Sequence, residues 1–178
     1  MDVWVQVALS GRQRSEHGPL GQKRSGEQGT SAADVVRTAE RVHGMTNPAT
    51  GTIYGTEGSA VLMVKAPGVT VGGITVQNTF DPANQPEVDA YLTQAVVPTA
   101  EGDRQIYTQV RLISRQDTVL VKSPVPTDQN WQYFVGSYVE GWIDFIFGNA
   151  TAVFDRCNIA LRNWAGGTVL VPNTDYRT

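Results

Sequence analysis

The sequence predicts an all-β fold in which the chain winds as a right-handed parallel β-helix from about Ser31 to Thr178. Eighteen glycines in 178 residues favour many turns over long helices. The apolar residues lie in short β-branched runs such as AVLMV, ITV and TVLV, separated by Gly, Pro, Asn and Asp. No Asn-Gly or Asp-Gly hairpin turn joins these runs. We therefore expect each strand to pair with a strand one full coil further along the chain.

The length and the local composition predict one domain. A chain of 178 residues is long enough for one core and too short for two ordinary domains. Its first part contains GRQRSEHGPLGQKRSGEQG, a segment of mixed charge with almost no apolar periodicity. We expect residues 1–30 to be disordered or foreign to the fold, and residues 31–178 to form the β-helix domain.

Charge and hydropathy exclude several classes of partner. A net charge of -3 and a pI near 5.3 provide no basic field for a phosphate backbone, so no nucleic acid is expected. No apolar run reaches the length of a membrane span, so no membrane is expected. The start, MDVWVQVALSG, lacks a basic region before its short apolar run, so no signal peptide is visible. The single cysteine, Cys157, is predicted to be a small buried hydrophobe.

An internal comparison brings two aspartates together. Residues 109–121 (QVRLISRQDTVLV) align with residues 136–148 (GSYVEGWIDFIFG) at an offset of 27, which places Asp117 on Asp144. The aligned apolar pairs are Leu112 with Val139, Val119 with Ile146, and Leu120 with Phe147. In a β-helix, equivalent positions on successive coils lie on neighbouring strands, roughly 4.8 Å apart. The offset therefore predicts two carboxylates side by side.

Adjacent carboxylates favour acid–base chemistry, because like charges at short range raise one pKa while the other stays low. The alternative interpretation is that both aspartates are ordinary turn residues at strand ends. The apolar run around Asp144 favours the chemical role, since an acid in such a run is either paired or held for chemistry. Gln116 would point away from Asp117 on an ideal strand, so it reaches the same site only if the backbone bends there.

Five motifs of the chain carry a family resemblance. GWIDFIFGNATAVFDRCNI resembles the signature around FIFG of the pectin methylesterase (pectinesterase) family, and SRQDTVLV resembles the QDTL motif of that family. TQAVVPTAEGDRQIY resembles the family's QAVAL stretch, and GTEGSAVLMV and GITVQNTF resemble two further stretches in the same order. The resemblance covers the chain from Thr46 to about Ile159 and implies an aspartyl esterase on a parallel β-helix.

The resemblance also implies a role for each matching residue. Asp144 corresponds to the nucleophile that attacks the methyl-ester carbonyl, and Asp117 to the acid that protonates the departing methanol. Gln94 and Gln116 correspond to the glutamines that stabilise the oxyanion, and Gln94 also lies where substrate binds. Thr56 corresponds to a sugar-contacting threonine. No metal and no organic cofactor is implied.

The resemblance further implies that the substrate is pectin, that the protein is secreted, and that the complete protein is a monomer. The family's LGRPW motif, whose arginine and tryptophan hold the nucleophile and substrate, has no counterpart before Thr178. We therefore expect a β-helix truncated at both ends, with open edges and reduced activity. Trp142 replaces a small family residue and is expected to narrow the cleft.

Two other functions stay open. One is a catalytically impaired remnant or a polysaccharide-binding module. The other is a second two-carboxylate β-helix enzyme, such as a glycosidase that acts on polygalacturonate. Trp131, Tyr133 and Trp142 are candidates for stacking on sugar rings, although buried packing is the commoner use of strand aromatics.

Overall fold

The structure is a computed structural model that describes residues 32, 35–162 and 166–173. The prediction for residues 1–30 lies outside these described residues. Within them the chain forms short strands, a four-residue α-helix, α1 (Gly55–Gly58), and two 3-10 helices, Pro82–Asn84 and Ala90–Leu92. No helix in this described part is long and apolar enough to cross a membrane.

The strands, numbered in chain order, form three sheets. Sheet 1 contains β1 (Val36–Ala39), β4 (Thr75–Asn78), β7 (Arg111–Ile113), β10 (Tyr138–Gly141) and β13 (Asn158–Leu161). Sheet 2 contains β2 (Leu62–Val64), β5 (Pro98–Glu101), β8 (Val119–Lys122), β11 (Ile146–Gly148) and β14 (Leu170–Pro172). Sheet 3 contains β3 (Thr70–Gly72), β6 (Gln105–Thr108), β9 (Trp131–Val135) and β12 (Thr151–Asp155).

Every described strand pair is parallel, and the chain visits the sheets in a fixed rotation. From β7 it passes to β8 in sheet 2, to β9 in sheet 3, and back to sheet 1 at β10, which pairs with β7. Each such circuit is one coil. The predicted parallel β-helix is confirmed. Connections between neighbouring parallel strands are right-handed almost without exception.

The 27-residue offset predicted from the sequence is also confirmed. The structure pairs the residues that the comparison aligned, namely Leu112 with Val139, Val119 with Ile146, and Leu120 with Phe147. Because side chains alternate across a strand, the same register places apolar residues above one another inside the coil. Leu112 and Val139 are 1% and 0% exposed.

Aromatic rings continue this stacking along sheet 3. Tyr107, Phe134 and Phe154 occupy equivalent positions on β6, β9 and β12. Their ring centroids are 4.6 and 4.5 Å apart, and the rings are nearly parallel. The core is therefore a stack of like residues one strand spacing apart. Cys157 is half-buried against this core, and burial raises the pKa of its thiol.

Candidate active site

The two aspartates lie at equivalent corners of successive coils. Asp117 lies between β7 and β8, and Asp144 lies between β10 and β11. Gln116 and Ile143 form a parallel bridge, and the Asp117 N–H donates to the Ile143 carbonyl at 3.1 Å. The next residue on each coil is an aspartate, so the structure places Asp117 and Asp144 at adjacent positions on neighbouring coils, near enough for the Asp144 charge to raise the pKa of Asp117.

The backbone bends at both aspartates. Asp117 has a φ of 60° and Asp144 a φ of 50°, which is the left-handed region that aspartate tolerates better than most residues. A strand with this bend no longer alternates its side chains strictly. The condition for Gln116 and Asp117 to serve one site, a bent backbone, is therefore met.

Burial distinguishes the two carboxyl groups. Asp117 is 9% exposed, and burial, followed by the nearby Asp144 charge, raises its pKa to about 7. Asp144 is half-buried. A carboxyl with a pKa near 7 carries a proton over most of the acidic range, whereas an ordinary aspartate has lost it. Asp117 can therefore act as a proton donor beside a second carboxyl group.

Gln116 is held by the preceding coil. The Thr93 hydroxyl donates to the Gln116 side-chain oxygen at 2.7 Å, and the Ala95 N–H donates to its backbone carbonyl at 3.0 Å. Gln94 lies beside this contact, and its side-chain amide donates to the Tyr91 carbonyl at 2.9 Å. The Gln94 side-chain oxygen is buried and has no hydrogen-bond partner among the described residues. The structure thus places both glutamines on neighbouring coils.

Thr56 lies on α1 and contacts a residue that sequence reasoning missed. Its hydroxyl is 3.0 Å from the Nδ1 atom of His43. The backbone N–H of His43 donates to the Gln94 carbonyl at 2.9 Å, so Thr56 is linked through His43 to the segment of Gln94. No spacing in the sequence relates His43 to Thr56. Their contact depends on how the loop between them folds back.

The aromatic candidates lie in different places. Trp142 does not stand alone in a cleft, because its ring stacks on the Arg115 guanidinium at 4.5 Å from centroid to carbon. Trp131 and Tyr133 are 51% and 37% exposed on β9 of sheet 3, whereas the aspartates lie between sheets 1 and 2. Among the described residues, no three His, Cys, Asp or Glu side chains are grouped as a metal site requires.

Comparison with known sequences identifies relatives. The Pectinesterase family model matches residues 37–170. Pectinesterase B of Dickeya dadantii (strain 3937) is 38% identical over 112 residues, which are 60% of this chain and 25% of that protein. A pectinesterase of Sitophilus oryzae is 32% identical over 128 residues, 70% of this chain and 31% of that protein. The chain thus spans between a quarter and a third of the length of these relatives.

Solved structures with similar folds point the same way. A pectin methylesterase from Yersinia enterocolitica superposes with a TM-score of 0.71 and 34% identity, over 83% of this chain and 48% of that one. A pectin methylesterase in complex with a hexasaccharide superposes with a TM-score of 0.72 and 29% identity, over 85% of this chain and 46% of that one. The matches in sequence and fold agree with the family that the motifs resemble. The chain belongs to the pectinesterase family.

Proposed function

We propose that this protein hydrolyses the methyl esters of galacturonate residues in pectin and releases methanol. The observation that carries the proposal is the stacked pair of aspartates, in which buried Asp117 has a pKa raised to about 7. Such a pair supplies a proton donor and a nucleophile at neighbouring positions. Membership of the pectinesterase family supports the same reaction.

In the proposed first step, the Asp144 carboxylate attacks the ester carbonyl. A tetrahedral oxyanion forms, and its collapse breaks the bond to the methoxy group. Protonated Asp117 transfers its proton to the leaving oxygen, so that methanol departs and an acyl anhydride of Asp144 remains. The burial that raises the pKa of Asp117 keeps this proton available near neutral pH.

In the second step, water hydrolyses the anhydride. Asp117, now a carboxylate, accepts a proton from the water as its oxygen attacks the acyl carbon. Collapse of the second oxyanion releases the free galacturonate carboxyl group and restores the Asp144 carboxylate. Each step leaves the pair ready for the next, because one proton passes from Asp117 to methanol and is replaced from water.

The two glutamines are the proposed donors to the oxyanion. Neutral amides stabilise negative charge on the carbonyl oxygen without neutralising the nucleophile. Because Thr93 occupies the side-chain oxygen of Gln116, the amide is oriented and its NH2 group remains for the substrate. Gln94 is proposed to donate with the N–H that does not bind the Tyr91 carbonyl.

Pectin is the proposed partner, and Thr56 is the proposed contact with a sugar ring. A sugar hydroxyl at Thr56 would compete with or join its hydrogen bond to His43. The hexasaccharide bound by a structural relative supports an extended carbohydrate ligand. We further propose that the protein acts outside the cell, since its polymeric substrate is too large to enter.

The decisive experiment measures methanol release from methylated pectin. Asp144→Asn should lower the rate by at least about 1,000-fold, and Asp117→Asn by roughly 100- to 10,000-fold, because each loses a group that takes part in bond making. Asp128→Asn, in the exposed segment before β9, is the matched control and should keep the wild-type rate.

The same assay separates the other functions. A wild-type chain that binds pectin but releases no methanol would indicate a binding module or an impaired remnant. New reducing ends, with the methyl esters intact, would indicate a glycosidase. A fully active Asp144→Asn protein would show that another group is the nucleophile.

A further inference from the structure

Arg115 joins neighbouring coils at the corner that carries the aspartates. Its two terminal guanidinium nitrogens donate to the two carboxylate oxygens of Asp81, each at 2.6 Å. The ring of Trp142 covers the guanidinium, with 4.5 Å between the ring centroid and the guanidinium carbon. A planar guanidinium forms a bidentate pair and a stack at once, which a lysine ammonium does not do. We call these three residues the Arg115 clamp.

The main chain of Arg115 also binds the coil that carries Trp142. Its carbonyl oxygen accepts from the backbone N–H of Trp142 at 2.6 Å and from that of Ile143 at 3.3 Å. Arg115 immediately precedes the Gln116–Asp117 pair, and Trp142 lies two residues before Asp144. Both the side chain and the backbone of Arg115 therefore hold the coil of Asp144 against the coil of Asp117.

The third member of the clamp is itself fixed. Asp81 caps the 3-10 helix Pro82–Asn84, where its side chain accepts from the Ala83 N–H at 3.0 Å. This backbone hydrogen bond and the Arg115 guanidinium hold the pKa of Asp81 below its ordinary value, so its carboxylate is charged. Asp81 belongs to the segment that leads to Thr93 and Gln94. The clamp thus connects that segment with the coils of both aspartates.

The corner needs such support because its ladder is irregular. Between β7 and β8 the pairing with the next coil is reduced to the isolated bridge of Gln116 with Ile143. Asp117 and Asp144 both have positive φ, and a non-glycine residue held there costs on the order of 1 kcal/mol. Conformations of this kind persist where surrounding contacts hold them. Hydrogen bonds to Gln116 and Asp117 contribute to this support, and the Arg115 clamp adds a side-chain link between the coils.

We propose that Arg115 is a positioning residue: through Asp81 and Trp142 it sets the separation and orientation of the Asp117 and Asp144 carboxyl groups. It acts on the carboxyl pair through the backbone. Its effect on methanol release rests on the proposed function, whereas its effect on the geometry of the pair does not. A misplacement of about 1 Å between reacting groups can cost on the order of 100-fold in rate.

The test uses two variants that remove different parts of the clamp. Arg115→Lys keeps the charge but loses the fork and the stack, and Trp142→Leu keeps an apolar side chain but loses the aromatic face. The full 178-residue chain, with carbon-13 in its aspartate carboxyl groups, is titrated by NMR, and Asp117→Asn and Asp144→Asn assign the two signals. In each clamp variant the Asp117 titration should move down by roughly one pH unit, because the loosened corner hydrates Asp117 and separates it from Asp144. The kcat should fall about 10- to 100-fold, with KM changed less than about twofold.

The chain contains a matched control on the same two coils. Arg111 stacks on Tyr138 with 4.6 Å between the guanidinium carbon and the ring centroid, six residues before each aspartate. Arg111→Lys removes a contact of the same kind and should leave both the Asp117 titration and the kcat unchanged. An Arg115→Lys protein with wild-type titrations and wild-type kcat would overturn the proposal, as would an Arg111→Lys protein that changed them equally. If the wild-type chain releases no methanol, the proposed function fails, and the titrations alone decide the role of Arg115.

Discussion

Two of the places where the coils of Asp117 and Asp144 contact each other are built differently. At the first, β7 and β10 pair in regular register, and Leu112 and Val139 stack inside the core at 1% and 0% exposure. At the second, a few residues further on, one isolated bridge remains and both aspartates have positive φ. The first place buries hydrocarbon, and the second buries a carboxyl group.

Within one coil, the regular pairing of strands contributes stability and the aspartate corner contributes the chemical groups. Stacked apolar side chains stabilise the fold because each removes its neighbour from water. The aspartate corner does the opposite, since burying Asp117 disfavours its charged form and raises its pKa to about 7. We infer that the apolar contacts between the regularly paired strands compensate for the unfavourable burial of Asp117 at the corner. The predictions below test this division, beginning with the largest effect.

Replacing a stacked core residue should cost the most stability. Leu112→Ala removes a buried side chain that stacks between Val76 and Val139, so the free energy of unfolding should fall by about 2 to 5 kcal/mol. Chemical denaturation measures the change. Ile106→Ala is the control, since Ile106 is 40% exposed on β6, and it should cost less than about 1 kcal/mol. Equal losses would show that the ladders do not dominate stability.

Replacing an oxyanion donor should leave stability intact and reduce the rate. Gln116→Ala removes the proposed amide donor, so the kcat for methanol release should fall by about 100- to 1,000-fold. The free energy of unfolding should change by less than about 1 kcal/mol, because Gln116 is only half-buried. Gln129→Ala, at an exposed position, provides the comparison for both measurements. A Gln116→Ala protein with wild-type kcat would remove Gln116 from the mechanism.

Asp117 should destabilise the fold as the pH rises. Its folded pKa, about 7, lies above the ordinary value of 3.8, so between these values the folded state holds a proton that the unfolded state has lost. Stability therefore falls as pH rises through this window and levels off above pH 7. The Asp117 contribution should be a loss of about 2 kcal/mol between pH 5 and pH 7.

The measurement compares denaturation of wild type and Asp117→Asn at several pH values. The asparagine variant should lack this loss, so its advantage over wild type should grow from pH 5 to pH 7. Asp128→Asn, whose side chain is exposed, should follow the wild-type curve. Parallel curves for wild type and Asp117→Asn would contradict the raised pKa.

The smallest effect should come from the residue that orients Gln116. Thr93→Val keeps the shape of the side chain but removes the hydroxyl that donates to the Gln116 oxygen at 2.7 Å. The amide then loses a fixed orientation, and we expect the kcat to fall about tenfold, which corresponds to about 1.4 kcal/mol. Thr70→Val, at an exposed position on β3, should have the wild-type kcat. A greater loss than in Gln116→Ala would assign Thr93 a role of its own.

The neighbours of each aspartate along the chain do not show which one is more enclosed. Asp144 stands in an apolar run of the sequence, yet it is half-buried and Ile143 is 40% exposed. Asp117, whose neighbours are polar, is the buried one. In a β-helix the surroundings of a corner residue come from the adjacent coils and loops, so the neighbours along the chain are a poor guide there.

By itself the sequence determined the parallel β-helix, the 27-residue register and the pairing of Asp117 with Asp144. These follow from the period of apolar residues, because a shift of register by one residue would expose the whole apolar set. Only the tertiary structure decided the raised pKa of Asp117, the contact of His43 with Thr56, and the joining of Arg115 to Asp81 and Trp142. Each of these features depends on residues that are at least 13 positions apart in the chain, and their geometry depends on how complete coils stack.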